Sequence, residues 1–263
     1  MKFYVVWKGR ETGIFTDWNT CKSHVDKFTG AKYKSFKTRA EAETAYRGTS
    51  VAVPAKGLSV SGSKPETLPK TRKKSTAKTL KTYTAKEIAA IEVDTKIFTD
   101  GGCEPNPGKA GSGIAVYHDD VVTELWYGLY NPAGTNNTAE LNALHQALMM
   151  AKDIIGEGKS VAIFCDSKYS IQSVIQWAIG WEKNGWKKKT GEIKNLKLIQ
   201  EMFALHQTIK KEVQVLHVNG HVGVEGNELA DRMSIMAIES RELDFSLYRG
   251  EMDIESILAM RTG

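Results

Sequence analysis

Four acidic residues stand where the punctuation of the chain changes. Asp100 lies in KIFTDGGCEPNPG, after the alternating run Ile97-Phe98-Thr99 and before a stretch rich in glycine and proline. Glu140 lies in TNNTAELNALHQAL, Asp166 in VAIFCDSKYS and Asp231 in GHVGVEGNELADRM. Each has a local explanation. Asp100 suits a turn before Gly101-Gly102, and Asn137-x-x-Glu140 fits a capping box. Asp166 suits an N-cap before Ser167, and Asp231 a solvated helix position. Taken together, they permit another chemistry. Carboxylates gathered at one point repel one another unless cations lie between them. Oxygen ligands without a cysteine or histidine cage select Mg²⁺ or Mn²⁺. Two such ions, about 4 Å apart, serve in-line displacement at phosphorus, one activating water and the other steadying the leaving oxygen.

The elements that must position these acids follow from periodicity. Strands are predicted at 96–100, 112–118, 121–129, 161–166 and 213–219, and helices at 137–155, 167–180, 194–210 and 226–240. Three consecutive strands with short connections point to an antiparallel meander, and the later strand–helix alternation points to a parallel portion. The expected class is α/β, with a mixed sheet and helices on its faces. Asp100 and Asp166 then close neighbouring strands on the edge where open α/β sheets place their sites. The glycines after Asp100 are expected to break the strand and keep bulk away, so that a phosphate can approach.

Before this region the character differs. Residues 1–86 hold 19 Lys/Arg against 6 Asp/Glu, whereas the remainder holds 17 against 25. A basic front and an acidic body suggest attraction of the front to a polyanion. Residues 1–48 read as a small domain of short strands and helices, one capped by Asn19 and one opened by the box Thr38-x-x-Glu41. Residues 49–94 are expected to be a flexible basic linker; from 49 to 86 they carry nine basic residues and one acid among Pro, Ser, Thr and Gly. Residues 95–245 form the main domain, and 246–263 a tail of unassigned role in which 252–260 suits a short helix. No apolar run approaches the ~20 residues that span a bilayer. The three scattered cysteines, Cys21, Cys103 and Cys165, suit a reducing cytoplasm rather than a disulfide framework.

TDGGCEPNPGKAGSG, TNNTAELNAL, CDSKYSIQSV and NGHVGVEGNELAD, in that order, resemble the four blocks of type 1 ribonuclease H over about residues 95–240. The resemblance implies a five-stranded mixed sheet with flanking helices. It also implies endonucleolytic cleavage of the RNA strand of an RNA–DNA hybrid with two Mg²⁺ ions (Mn²⁺ as a substitute), leaving 5′-phosphate and 3′-hydroxyl ends. Carried over to this chain, Asp100, Glu140, Asp166 and Asp231 would hold metal. His221 would shuttle a proton or assist product release, and Asn227 would lie near the metal. Asn106, Asn136 and Asn137 would read 2′-hydroxyls and bases, as a nuclease that spares DNA must. Thr135 and Asn195 would hold a phosphate of the DNA strand, in a pocket where Ala133 replaces an arginine found in some members. Trp177, Trp181, Lys187 and Lys188 would form the basic protrusion that grips that strand. Each also has a plain structural explanation as cap, turn, helix packing or solvated charge.

The front stretch FYVVWKGRETGIFTDWNTCKSHVDKFTGAKYKSFKTRAEA resembles the small α+β hybrid-binding domain that precedes many cellular type 1 ribonucleases H. Trp18 and Tyr33 then correspond to an aromatic pair that packs on DNA sugars, and Lys34 to a basic contact, while Ser35 stands where some relatives carry a second lysine. A monomer bound to an RNA–DNA hybrid is the expected working form. The alternatives are a hybrid-binding protein that has lost catalysis and a DNA-directed nuclease of the same fold.

Overall fold

A computed structural model of the chain describes residues 2–26, 28, 30–47, 80–188, 190–220 and 223–263. His221 lies outside the described residues, as does most of the expected linker. The described residues fall into two compact units, 2–47 and 80–263.

The front unit runs β1 (Phe3–Lys8), β2 (Gly13–Phe15), α1 (Trp18–Val25), β3 (Lys32–Phe36) and α2 (Arg39–Arg47). Its three strands form an antiparallel sheet in the order β2-β1-β3. The core is small: Val6, Cys21 and Val25, with Tyr4, Phe15 and Ala31 against them. Asp17 caps α1, accepting the Thr20 N–H at 2.7 Å, so the cap lies two residues before the expected Asn19. Thr38 and Glu41 do form their reciprocal box at the head of α2.

The second unit runs β4 (Thr82–Tyr83), α3 (Ala85–Ala89), β5 (Thr95–Glu104), β6 (Gly108–His118), β7 (Val121–Gly134), α4 (Asn136–Gly156) and β8 (Val161–Cys165). Then come α5 (Lys168–Ile171), a π-helical stretch Gln172–Trp177, α6 (Ala178–Lys183), α7 (Leu196–Ile209), β9 (Val213–Val218), α8 (Glu225–Ser240), β10 (Phe245–Leu247) and α9 (Ile254–Leu258). The sheet order is β10-β7-β6-β5-β8-β9-β4. β5, β6 and β7 are the antiparallel meander, and β5, β8 and β9 are parallel. The five central strands are those expected, and a short strand is added at each edge.

One edge strand corrects the expected linker. Thr82 and Tyr83 pair in parallel with His217 and Val218, and α3 follows on a capping box between Thr84 and Glu87. The folded body therefore begins well before residue 95. Ile88 supplies the reason, because it is buried in the core beneath α8.

The sheet separates two cores. On one face α4 and α7 bury Leu141, Leu144, Leu148, Ile199 and Met202. On the other, α8 buries Leu229, Ala230 and Met233 against Phe98 and Phe164. Each large apolar side chain so buried contributes about 1.5–3 kcal/mol. The two helices that carry Glu140 and Asp231 are thus clamped to opposite faces of the strand that carries Asp100.

Candidate active site

Asp100 does not end its strand. β5 continues through Gly101 and Gly102 to Glu104, paired with β6 along its whole length. Only the parallel partnership stops here, its last pair being Thr99 with Cys165. Beyond that pair β5 has an open flank, and Asp166 follows immediately on the partner strand. The glycines serve close packing. A Cβ on Gly101 would overlap the backbone of Ala139 and Glu140, and one on Gly102 would crowd Ser234 Oγ at 2.9 Å. α4 and α8 approach the strand this closely because no side chain intervenes.

α4 begins where Thr135 accepts the Thr138 N–H, so Thr135 is its cap and the expected box at Asn137 does not form. Glu140 then lies at the start of the second turn with its side chain turned inward, only 6% exposed. Asp231 comes from the middle of α8 at 2% exposure, and Asp100 is at 7%. All four acids line one cavity of 490 Å³, together with Asn136 and Glu104.

Burial and mutual repulsion dominate its electrostatics. Burial, then the fields of Asp166 and Asp231, push the Asp100 carboxyl up to about 8. Glu140 is raised well above its usual range by burial and by the charges of Asp100 and Asp166. Glu140 Oε2 is buried with no hydrogen-bond partner. Glu140 and Asp166 carboxylate oxygens and the Cys165 sulfur lie within 4.8 Å of one another. A buried anion without a partner is costly unless a cation meets it. The donor set is therefore an acidic group that fits a divalent metal ion, and its oxygens suit a hard one.

Supporting contacts hold the acids in place, and several were not foreseen. Ser234 Oγ is buried 3.1 Å from Asp100 Oδ2. Arg232 Nη1 donates to Asp231 Oδ2 at 2.5 Å. Burial keeps His217 below its usual value and so neutral; Nε2 donates to the Asp166 carbonyl at 3.0 Å, while Nδ1 accepts from Thr82 Oγ1 at 2.8 Å. Thr82 belongs to the segment expected to be linker, so that strand supports the site. The foreseen Asn227 is buried and donates Nδ2 to Asp166 Oδ2 at 3.4 Å.

The other expected residues form groups. Asn106 Oδ1 accepts the Asn136 N–H at 3.3 Å, and Asn137 is exposed one residue further on. Thr135 and Asn195 both contact the Thr138 hydroxyl, at 2.8 and 3.2 Å. Ala133 is exposed. Trp177, Trp181, Lys187 and Lys188 line one open groove of 620 Å³, with the two indoles 5.8 Å apart. Trp186, from the same run, packs on Phe203 instead. In the front unit Trp18 and Tyr33 lie outside the core, 39% and 46% exposed, with ring centroids 6.0 Å apart. Lys34 is exposed, with Nζ 5.7 Å from the Phe36 ring.

Comparison with known proteins places both units in known families. Residues 92–239 match the family model described as RNase H, and residues 2–46 match the model described as the ribonuclease H1 N-terminal domain. Ribonuclease H1 of Mus musculus is 32% identical, covering 88% of this chain and 87% of its own length. Ribonuclease H of Methylorubrum extorquens is 38% identical over 54% of this chain and 59% of its own length. Among solved structures, LC9-RNase H1, a type 1 RNase H with the type 2 active-site motif, superposes with a TM-score of 0.50 at 25% identity, covering 65% of this chain and 83% of that one. The chain belongs to the ribonuclease H family.

Proposed function

We propose that this chain hydrolyses the RNA strand of RNA–DNA hybrids by a two-metal mechanism, leaving 5′-phosphate and 3′-hydroxyl ends. The observation that carries it is the convergence of Asp100, Glu140, Asp166 and Asp231 on one cavity, with Glu140 Oε2 buried and unpartnered. Two Mg²⁺ ions held there, or Mn²⁺ in their place, would supply a lowered water pKa and charge stabilisation at phosphorus. The protein's part is rigidity: Asp100 sits on β5, Asp166 immediately after the adjacent β8, and Glu140 and Asp231 on helices packed against opposite faces. The bond broken is between phosphorus and the 3′ oxygen. Water supplies the new phosphate oxygen, and a proton passes to the leaving oxygen. His221 is our candidate for handling a proton or assisting product release.

Substrate choice follows from the surroundings. Asn106, Asn136 and Asn137 at the mouth would meet ribose 2′-hydroxyls, the group that marks RNA. The Thr135–Thr138–Asn195 cluster would hold a DNA-strand phosphate, and the groove of Trp177, Trp181, Lys187 and Lys188 would grip the same strand. The front unit, reached through a basic linker, would raise the local concentration of hybrid. A monomer acting in the cytoplasm is the simplest form; among the described residues no helix is long and apolar enough to cross a membrane.

The test is cleavage of labelled RNA in a hybrid, with Mg²⁺ and with EDTA, beside an all-DNA duplex. Metal-dependent cutting confined to hybrid RNA supports the reading. Tight binding without cutting would make this a hybrid-binding protein, and cutting of the DNA duplex would make it a DNA-directed nuclease. A second expectation concerns the exposed rings. Trp18→Ala combined with Tyr33→Ala should weaken hybrid binding by the front unit about thirtyfold or more, since stacked aromatics contribute ~1–3 kcal/mol each to nucleic-acid contacts. Cleavage of long hybrids at low concentration should fall, while cleavage of short hybrids at saturation should hold. Equal loss on both lengths would count against a tethering role.

A further inference from the structure

The chain after α9 returns across the site. Its start is tied by Arg232, whose Nε and Nη2 donate to the Leu258 carbonyl at 3.3 and 3.2 Å. The same guanidinium holds Asp231. Arg261 then pairs with Glu104 at the end of β5 and with Glu239 of α8 at 3.5 Å. Finally the Gly263 N–H donates to both carboxylate oxygens of Asp231, at 3.1 and 3.3 Å. Arg261, Thr262 and Gly263 therefore line the cavity that holds the four acids. Gly263 suits this place, because a Cβ there would lie 2.7 Å from Asp231 Oδ1.

We propose that residues 261–263, beyond the Ala259 and Met260 N–H bonds that close α9, are a displaceable strap that competes with a divalent cation for Asp231. The inference rests on Asp231 being a metal ligand, as argued above. An amide N–H and a cation both seek the carboxylate lone pairs, so the strap and an ion at these oxygens exclude each other. The hold is weak enough to yield. Arg261 and its two acids are all more than half exposed, and exposed pairs contribute little. The remaining link is one main-chain donor to a charged acceptor. The strap would keep Asp231 satisfied in the resting protein and raise the cation concentration needed to assemble the site.

The experiment uses the full chain with Arg261→Ala and Gly263→Pro; the second removes the donor N–H. Cleavage of labelled hybrid is measured against Mg²⁺ concentration, and Mn²⁺ binding without substrate is followed by water proton relaxation. Gly263→Pro should need about five- to tenfold less Mg²⁺ for half-maximal rate and Arg261→Ala about two- to fivefold less, each binding Mn²⁺ more tightly by a similar factor, with the saturated rate unchanged. Unaltered half-saturation and Mn²⁺ affinity in both variants would overturn the strap. So would a lower saturated rate, which would make the segment part of the productive site. Absence of cleavage in the parent chain at every Mg²⁺ concentration would instead defeat the nuclease reading, and the Mn²⁺ titration would still decide for or against the strap.

Discussion

Asp100→Asn is expected to lower metal-dependent cleavage about a thousandfold or more and, in the same molecule, to make the metal-free protein more stable above neutral pH. The loss of rate follows from removing one anionic ligand from a site whose catalysis is charge stabilisation; each 1.36 kcal/mol withheld from the transition state costs about tenfold. The gain in stability follows from what burial does to this carboxylate. Its proton is held up to about 8, by burial first and then by Asp166 and Asp231. The unfolded chain releases that proton near 3.8. The folded state therefore binds the proton more tightly, so the contribution to stability is fully present below about pH 4 and is lost as pH rises to about 8. Asparagine has no proton to lose there, and its side-chain oxygen can still accept from Ser234. In EDTA the parent protein should melt at falling temperature from about pH 5 to about pH 8.5, and the variant should fall less. The difference is expected to be largest at the upper end. Mg²⁺ should reverse the ranking, stabilising the parent more as pH rises and the variant little, because ion binding releases protons from the carboxylates. Parallel melting curves for the two proteins in EDTA would show that Asp100 does not carry the repulsion assigned to it.

Much of this site is legible in the sequence. Asp100, Asp166 and Asp231 each end or interrupt a strongly periodic segment, and such segments are read well because burial enforces their period. The antiparallel meander followed from its short turns, and the parallel portion from the strand–helix alternation after it. Position along the sheet was less legible. Gly101-Gly102 was expected to stop β5, since glycine is a breaker in isolation. In the sheet these glycines mark places where helices rest on the strand, a tertiary fact with no local signal. β4 was hidden for a similar reason. Two residues carry no period, and Thr82 becomes a strand through pairing with His217 and Val218, about 135 positions away. The capping box Thr84-x-x-Glu87 was the available clue that order resumes before residue 95. The contacts of Arg232, Ser234 and His217 were not legible at all, because each depends on which face of its element meets an acid from elsewhere in the chain. The roles of Asn106, Asn137, Lys187 and Lys188 stay with the proposal, since only a bound hybrid can display them.

Gly101→Ala should lower activity about a hundredfold, though no charge changes. The added methyl would overlap the main-chain nitrogen of Glu140 and the carbonyl carbon of Ala139. Those atoms cannot rotate away as a side chain could, so the N-terminal part of α4 must slide off β5 as a body. That part bears Glu140, and the rest of the helix is fixed by Leu141, Leu144 and Leu148 in the core. The two demands conflict, and overpacking of this kind costs about 1–3 kcal/mol. A shift of about 1 Å between Asp100 and Glu140 is enough to cost ~10²-fold in rate, because the site works by positioning. Gly156, at the other end of the same helix, is the control. A Cβ there meets nothing within 4 Å. Gly156→Ala should leave activity alone and leave stability unchanged or raise it by up to ~1 kcal/mol, as expected for replacing glycine where there is room. Melting temperatures and hybrid cleavage measured on both variants separate space from helix propensity. If Gly101→Ala melted and cut like the parent, the close seat of α4 on β5 would not be what brings Glu140 to Asp100. If it folded stably but cut poorly, the rate loss could be assigned to the spacing of the two carboxylates, with the fold intact.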